Sequence, residues 1–368
     1  MEQALAGLVE QVRAARASKT ALDIRGGNTK AFYGEPPRGQ PLDVTALAGV
    51  SSYEPSELVV TARAGTPLVE LEAVLAEKGQ CLPFEPPRFA DPTHAGAHAG
   101  TVGGMVAAGL SGPARAAVGC VRDYVLGATL LNGRAECLRF GGTVMKNVAG
   151  YDVSRVLAGS MGILGVICEV SLKVLPVAPA TLTLRLEMDA AAAIRAINEW
   201  GGQPLPLNAS AWWAGTLVVR LSGAAAAVRA AQAKIGGEVV EPALASAFWT
   251  GLRDHRDEFF IGALRAVEGG AGLWRFSVPP TTAPLALSGE QLVEWGGAQR
   301  WLCTSAPAVT LRNAAAAVGG HAVLFRGVDK SAGAFAPLAP PLDRIHRELK
   351  AAFDPDGVFN PGRLVPGL

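Results

Sequence analysis

In the stretch VICEVSLKV, Val166, Cys168, Val170, Leu172 and Val174 alternate with Ile167, Glu169, Ser171 and Lys173. A period of two predicts a strand with one face buried. Pro176 and Pro179 end it. The chain opens on a different spacing. Leu5, Leu8, Val12 and Ala15 recur at helical intervals with Glu and Arg between them, which predicts an amphipathic surface helix. Short strands are expected over 21–24 and 58–62. A helix follows the second, with Thr66 as N-cap, Pro67 at the first helical position, Leu68, Leu71 and Leu75 on its core face, and Gly79 beyond its end. VLGATLLNGRAECLRF reads as two strands joined at Asn132-Gly133, a pair that favours a tight hairpin turn.

Beyond PVAPAT the pattern changes, and a domain boundary is expected there. Strands over 182–186 and 212–221 alternate with helices over 190–200 and 224–235, and GLWRFSV, QRWLCT and HAVLFRG add further strands. Such alternation predicts a helix-layered α+β sheet. DRIHRELKAAF reads as a closing amphipathic helix before a turn-rich tail. No repeat of solenoid period is present.

Composition narrows the function classes. The 368 residues are 49% apolar and 18% charged, with a formal charge of +1. That is a globular composition without the basic footprint of a nucleic-acid binder. The five cysteines are widely spaced and form no C-x-x-C, so neither a disulfide framework nor an iron–sulfur or zinc site is expected. A reducing cytoplasm fits them best. No apolar run reaches membrane-spanning length and the N-terminus does not read as a signal peptide. A cytoplasmic protein is expected, with peripheral attachment to the inner membrane face left open.

Two glycine-dense loops carry the candidate chemistry: RGGNT at 25–29, straight after a strand, and GTVGGMVAAGLSGPAR at 100–115. Without a Cβ, glycine lets backbone N–H groups converge on an anion. Thr29, Thr101 and Ser111 add hydroxyls, and Arg25 and Arg115 can neutralise phosphate charge. Two such loops suit a ligand with a pyrophosphate at its middle; taken singly, either loop reads as readily as a plain turn. The Rossmann fingerprint is absent, because Gly159, Gly162 and Gly165 have the wrong spacing and precede a strand. The P-loop ending is absent as well.

In order, strand-RGGNT, TVGGMVAAGLSGPAR, VRDYVLGATLLNG and GYDVSRVLAGSMGILGVICEVSLKV resemble the FAD-binding domain of the vanillyl-alcohol-oxidase/p-cresol-methylhydroxylase flavoproteins. The likeness spans most of 20–176. FGGTVMKNVAGYD, EWGGAQRWL and the terminal FNPGRL narrow it to FAD-binding subunits of glycolate-oxidase-like complexes. The resemblance implies an α+β chain. A two-lobed FAD-binding domain would cover 1–178 and an α+β cap-like C-terminal domain 179–340. A helix and tail over 341–368 would pack back on the first domain. It implies that Arg25, Gly26, Gly27, Asn28 and Thr29 wrap the FAD pyrophosphate, and that Thr101, Val102, Gly103 and Gly104 form a second pyrophosphate loop. Gly109, Ser111 and Gly112 would approach the ribityl chain or flavin ring. Gly162, Gly165, Val166 and Ile167 would line the adenine or flavin through their backbone. Tyr151 and Asp152 are expected to brace the neighbouring turn.

Departures from the family qualify the chemistry. The RGGNT and GTVGG loops hold no His or Cys for a covalent tether. His94 and His98 stand at i, i+4 among prolines and glycines that spoil a helix, so FAD is expected to be non-covalent and no metal pair is expected. The paired-His motif of related 2-hydroxy-acid dehydrogenases is reduced in GGHAVLFRG to His321. The catalytic base is therefore unassigned, and Lys146, Arg122, Arg326 and Arg363 are the candidate cations for a substrate carboxylate. The resemblance implies a second flavoprotein subunit and an iron–sulfur subunit as partners, and a small 2-hydroxy acid as substrate. Two alternatives stay open: a non-catalytic assembly subunit with structural or no FAD, and a stand-alone flavin oxidase of another alcohol or hydroxy acid.

Overall fold

The computed structural model describes residues 2–89, 100–143 and 151–368. Its contacts divide the chain into two units, Met1–Leu110 with Cys120–Pro176 and Pro337–Leu368, and Ser111–Gly119 with Val177–Ala336. The sequence places boundaries at 178 and 340; the observed ones fall at 176 and 336. The nine-residue run 111–119, expected with the first domain, belongs to the second unit.

In the first unit a five-stranded antiparallel sheet runs in the order Val50–Glu54, Val59–Arg63, Val166–Lys173, Val125–Leu131, Cys137–Gly141. A smaller parallel pair joins Leu22–Arg25 to Gln40–Asp43. The strand Val166–Lys173 is central, and both of its faces are largely buried. Its alternation is also broken. Thr129 and Leu130 face Glu169 and Ile167, so one extra residue enters the strand as a bulge. Val166 and Cys168 therefore pack under the N-terminal helix Glu2–Ser18, whereas Val170, Leu172 and Val174 enter the main core. A single buried face for all five was the wrong reading. A bulge shifts the side-chain parity without changing composition.

Two local expectations also change. The helix Leu68–Ala76 has Pro67, not Thr66, at its N-cap. The Thr66 hydroxyl instead ties Gly49 through both its N–H (2.9 Å) and its carbonyl (3.1 Å). The hairpin after Leu131 is wider than a two-residue turn. Asn132 Oδ1 accepts from the amides of Arg134 (2.9 Å) and Glu136 (3.0 Å), and Ala135 takes φ 61°.

The second unit is built on an eight-stranded antiparallel sheet, ordered Glu238–Val239, Ala180–Glu187, Thr216–Gly223, Leu207–Trp213, Gln291–Glu294, Gln299–Thr304, Gly272–Ser277, His321–Arg326. The single strand expected over 212–221 is a hairpin, because Ala214 and Gly215 both have positive φ and turn the chain. The helices Pro242–Asp254 and Glu258–Glu268 bring His255 into an aromatic nest. Its ring stacks on Phe260 at 3.6 Å and lies edge-on to Trp301 at 5.0 Å.

Burial, followed by the charges of Arg326 and Arg275, holds the His255 pKa well below its usual 6.5. The folded protein excludes a proton that the unfolded imidazole takes up below about pH 6.5. This contribution to stability is full above that pH and is lost as pH falls. We expect the unfolding free energy to drop by about 1.4 kcal/mol per pH unit below 6.5 from this group. His255→Phe, which keeps the stack, should flatten that slope in denaturant titrations at pH 7.5, 6.5 and 5.5.

Candidate functional site

The strand Leu22–Arg25 ends where the chain must turn sharply, and Gly26 and Gly27 provide that turn. Its edge is held by the C-terminal tail. Leu22 N–H donates to Val358 (2.7 Å) and Asn360 N–H returns to Leu22 (2.9 Å). The second glycine loop meets the first directly. A Cβ on Gly26 would collide with the Thr101 hydroxyl, and one on Gly27 would stand 3.0 Å from Gly100 Cα. Two bends more than seventy residues apart in sequence thus share one seam.

An open cleft lies along this seam. Its lining includes Arg25, Gly26, Gly27, Asn28, Thr29, Thr101, Gly103, Gly104, Gly162, Gly165 and Ile167, all named from sequence. The two loops contribute differently. Among the described residues, no backbone amide from Gly26 to Thr29 donates a hydrogen bond to another residue. The amides of Val102 and Gly103 already donate, to Thr66 (2.9 Å) and Ala64 (2.7 Å), and that of Gly104 reaches the Thr101 hydroxyl at 3.2 Å. The first loop therefore offers donors to an anion, while the second offers proximity.

Other expected site residues lie elsewhere. Val102 and Val166 are fully buried in the two cores and do not line the cleft. Gly109, at φ 64°, ends the helix Val102–Ala108. Ser111, Gly112 and Arg115 belong to the second unit. There Gly112 accepts from Trp295 Nε1 (3.0 Å), and the Arg115 guanidinium lies 4.5 Å from the Trp295 ring centroid. The Tyr151 side chain is 95% exposed, and only its carbonyl is seen in the turn, accepting from Val153 N–H at 3.0 Å; Asp152 does brace, accepting from the Ser154 hydroxyl at 3.1 Å and pairing with Arg155 at 3.1 Å. His94, His98 and Lys146 lie outside the described residues.

The candidate cations separate clearly. Arg122 is exposed. Arg326 is half-buried in the second unit, where burial pulls its pKa down to about 10. Arg363 is buried at the cleft, but its guanidinium donates to the carbonyls of Lys30 (3.3 Å), Ala31 (2.9 Å) and Glu35. Those bonds brace the loop against the tail.

Asp23, Lys30, Ala107 and Asn360 also line the cleft and were not anticipated. Asn360 Oδ1 accepts from Ile24 N–H (2.8 Å) and its Nδ2 donates to the Met161 carbonyl (2.7 Å). The sequence signal for it was FNPGRL, which carried the resemblance without a role attached. Lys30 follows RGGNT immediately and had the same chance of notice.

The FAD binding domain family matches residues 5–141. The chain is 48% identical to the Escherichia coli glycolate oxidase subunit GlcE over 361 residues, 98% of this chain and 97% of that protein. A D-lactate dehydrogenase of Anaerostipes hadrus is 31% identical over 40% of this chain and 29% of its own length. The Bacillus subtilis glycolate oxidase subunit GlcD is 30% identical over 39% of this chain and 29% of its own length. A solved alkyldihydroxyacetonephosphate synthase shares the fold, with a TM-score of 0.62 at 14% identity over 96% of this chain and 75% of its own. With two glycine bends meeting at one cleft and a full-length relative at this identity, the chain carries an FAD binding domain and belongs to the family of the glycolate oxidase subunit GlcE.

Proposed function

We propose that this chain is the FAD-binding subunit of a glycolate-oxidase-like complex that oxidises a small 2-hydroxy acid, glycolate or D-lactate. Electrons then pass to a second flavoprotein subunit and an iron–sulfur subunit. The observation that carries the reading is the seam itself, where the amides of Gly26 to Thr29 point to no other described residue and Gly27 packs against Gly100. The relatives named for glycolate and D-lactate oxidation give the substrate class.

The residues present fit a dinucleotide. The Gly26–Thr29 amides would donate to its diphosphate, and the missing Cβ atoms give it room. Ile24, Ala107 and Ile167 would give it apolar wall. Bound FAD supplies the hydride acceptor for oxidation of the hydroxyl carbon. Residues 25–29 and 100–104 hold no His or Cys, so the cofactor is held without a covalent bond. The five cysteines are unpaired and dispersed, and onward electron transfer falls to centres on the partners. No helix among the described residues is long and apolar enough to cross a membrane. We propose that the complex is cytoplasmic, with peripheral attachment to the inner membrane face left open.

The purified full chain should be yellow, and acid precipitation should release the flavin into the supernatant. Anaerobic glycolate or D-lactate should bleach it in the assembled complex. Bleaching of the chain alone assigns the oxidation to this subunit, and a stable yellow colour there assigns it a relay role. A colourless chain that refuses added FAD defeats the proposal.

Gly27→Val should close the seam. A side chain forced against Gly100 costs about 1–3 kcal/mol where the cleft must stay open. We expect FAD affinity to fall by about tenfold to a hundredfold, measured by flavin fluorescence titration, and the unliganded melting temperature to fall by several degrees.

A further inference from the structure

The second unit carries a pocket of its own. Its walls come from the helix Ala190–Gly201, the strand Leu207–Trp213, the turn at 295–297 and the short run 115–117, and it shares no described lining residue with the glycine cleft. Its volume of about 530 Å³ is that of a small-molecule site. Ile197, Leu205 and Leu207 give it an aliphatic wall, and Trp200 and Trp295 an aromatic one. Trp295 is held there against a steric cost. Its φ of 52° lies in the left-handed region, which a bulky residue enters only under constraint. The constraint is visible: its indole N–H donates to the Gly112 carbonyl at 3.0 Å, and the next amide, that of Gly296, donates to the Ser210 hydroxyl at 3.2 Å.

Three polar groups in this lining have capacity to spare. Arg115 is its one charged side chain among the described residues. It is exposed, its guanidinium lies 4.5 Å from the Trp295 ring centroid, and no described carboxylate pairs with it. Ser210 is 6% exposed; its oxygen accepts from Gly296, and its proton has no acceptor among the described residues. Asn198 Nδ2 donates to the carbonyls of Ile194 (2.8 Å), Pro280 (3.2 Å) and Gly296 (3.1 Å), which leaves its Oδ1 as an acceptor without a described donor. A cation set over an indole, with no carboxylate among the described lining residues, selects an anion that carries a flat apolar group. We infer that this pocket binds a small organic carboxylate with a planar apolar body, its charge on Arg115 and its ring against the indole wall. The inference uses no residue of the glycine cleft and stands independently of the FAD reading. Arg115, expected from the sequence to meet a phosphate, thus faces a different anion.

The test titrates the full chain by calorimetry, with and without added FAD. The probe is phenylacetate; 2-phenylethanol and 2-phenylethylamine are its neutral and cationic counterparts. Phenylacetate should bind about tenfold more tightly than either, the worth of one charge-assisted hydrogen bond over a neutral contact. That advantage should shrink at high salt, because screening weakens the charge. Added FAD should leave the titration unchanged. Arg115→Gln should bring phenylacetate down to the level of the alcohol. It should leave alcohol binding and the melting temperature unchanged, because the side chain is exposed. Arg115→Lys should restore part of the loss, since it keeps the charge without the planar stack. Trp200→Leu should weaken acid and alcohol alike. No binding of phenylacetate at millimolar concentrations overturns the inference. So does equal affinity for acid and alcohol, or an Arg115→Gln titration identical to wild type. Competition between phenylacetate and FAD overturns it as well, because that places the acid in the glycine cleft.

Discussion

One carboxamide sets the spacing of the cleft walls. Asn360 accepts from Ile24 at the entrance to the first loop and donates to Met161 at the turn opposite. It is buried, so neither bond is readily exchanged for water. Only a side chain carrying both a donor and an acceptor can span this gap; a carboxylate lacks the donor and an aliphatic chain lacks both. Asn also tolerates the positive φ of 41° that the tail requires here. Everything lining the cleft is placed relative to that bridge.

The bridge depends in turn on how the tail is delivered. The helix Pro340–Phe353 buries Lys350, whose Nζ donates to Asp354 (2.6 Å), Ile163 (2.7 Å) and Phe359 (2.7 Å). Asp354 then accepts from the amides of Val358 and Phe359. Desolvation pulls the Lys350 pKa down, and the adjacent Asp354 opposes this. Such a pair stabilises the fold only because all three ammonium protons and both carboxylate oxygens have partners. Its geometric effect is to pin the tail beside the 161–165 turn. The first unit is therefore complete only with its last thirty-odd residues, and its folding must bring together positions such as Leu22 and Val358 from opposite ends of the chain.

The second unit is organised around buried polarity of another kind. Glu294 accepts from Gln299 (3.0 Å) and from the Trp301 indole (2.6 Å), which joins neighbouring strands inside an aromatic core. The EWGGAQRWL segment is thus a folding element: Trp295 anchors Gly112, and Glu294 fixes Trp301.

Local patterning was enough to find the N-terminal helix, the strand before the first glycine loop and the closing helix, because each follows from the period of apolar residues and from glycine or proline at its ends. The glycine loops themselves were legible, since a missing Cβ is a property of the residue alone. Parity within Val166–Lys173 was not, because a bulge is set by the partner strand. Thr66 left its capping role for Gly49 for the same kind of reason: a distant backbone offered the better hydrogen bonds. The charge of the cleft was least legible of all. Arg25, Lys30 and Arg363 are alike on paper, and only the folded chain sets one against Asp23, one at the seam and one on carbonyls more than three hundred residues away. Residue type and spacing determined where backbone could approach a nucleotide. Which charged and polar groups meet around that backbone was decided by tertiary packing, because hydrogen bonds and charges are satisfied in space and not along the sequence.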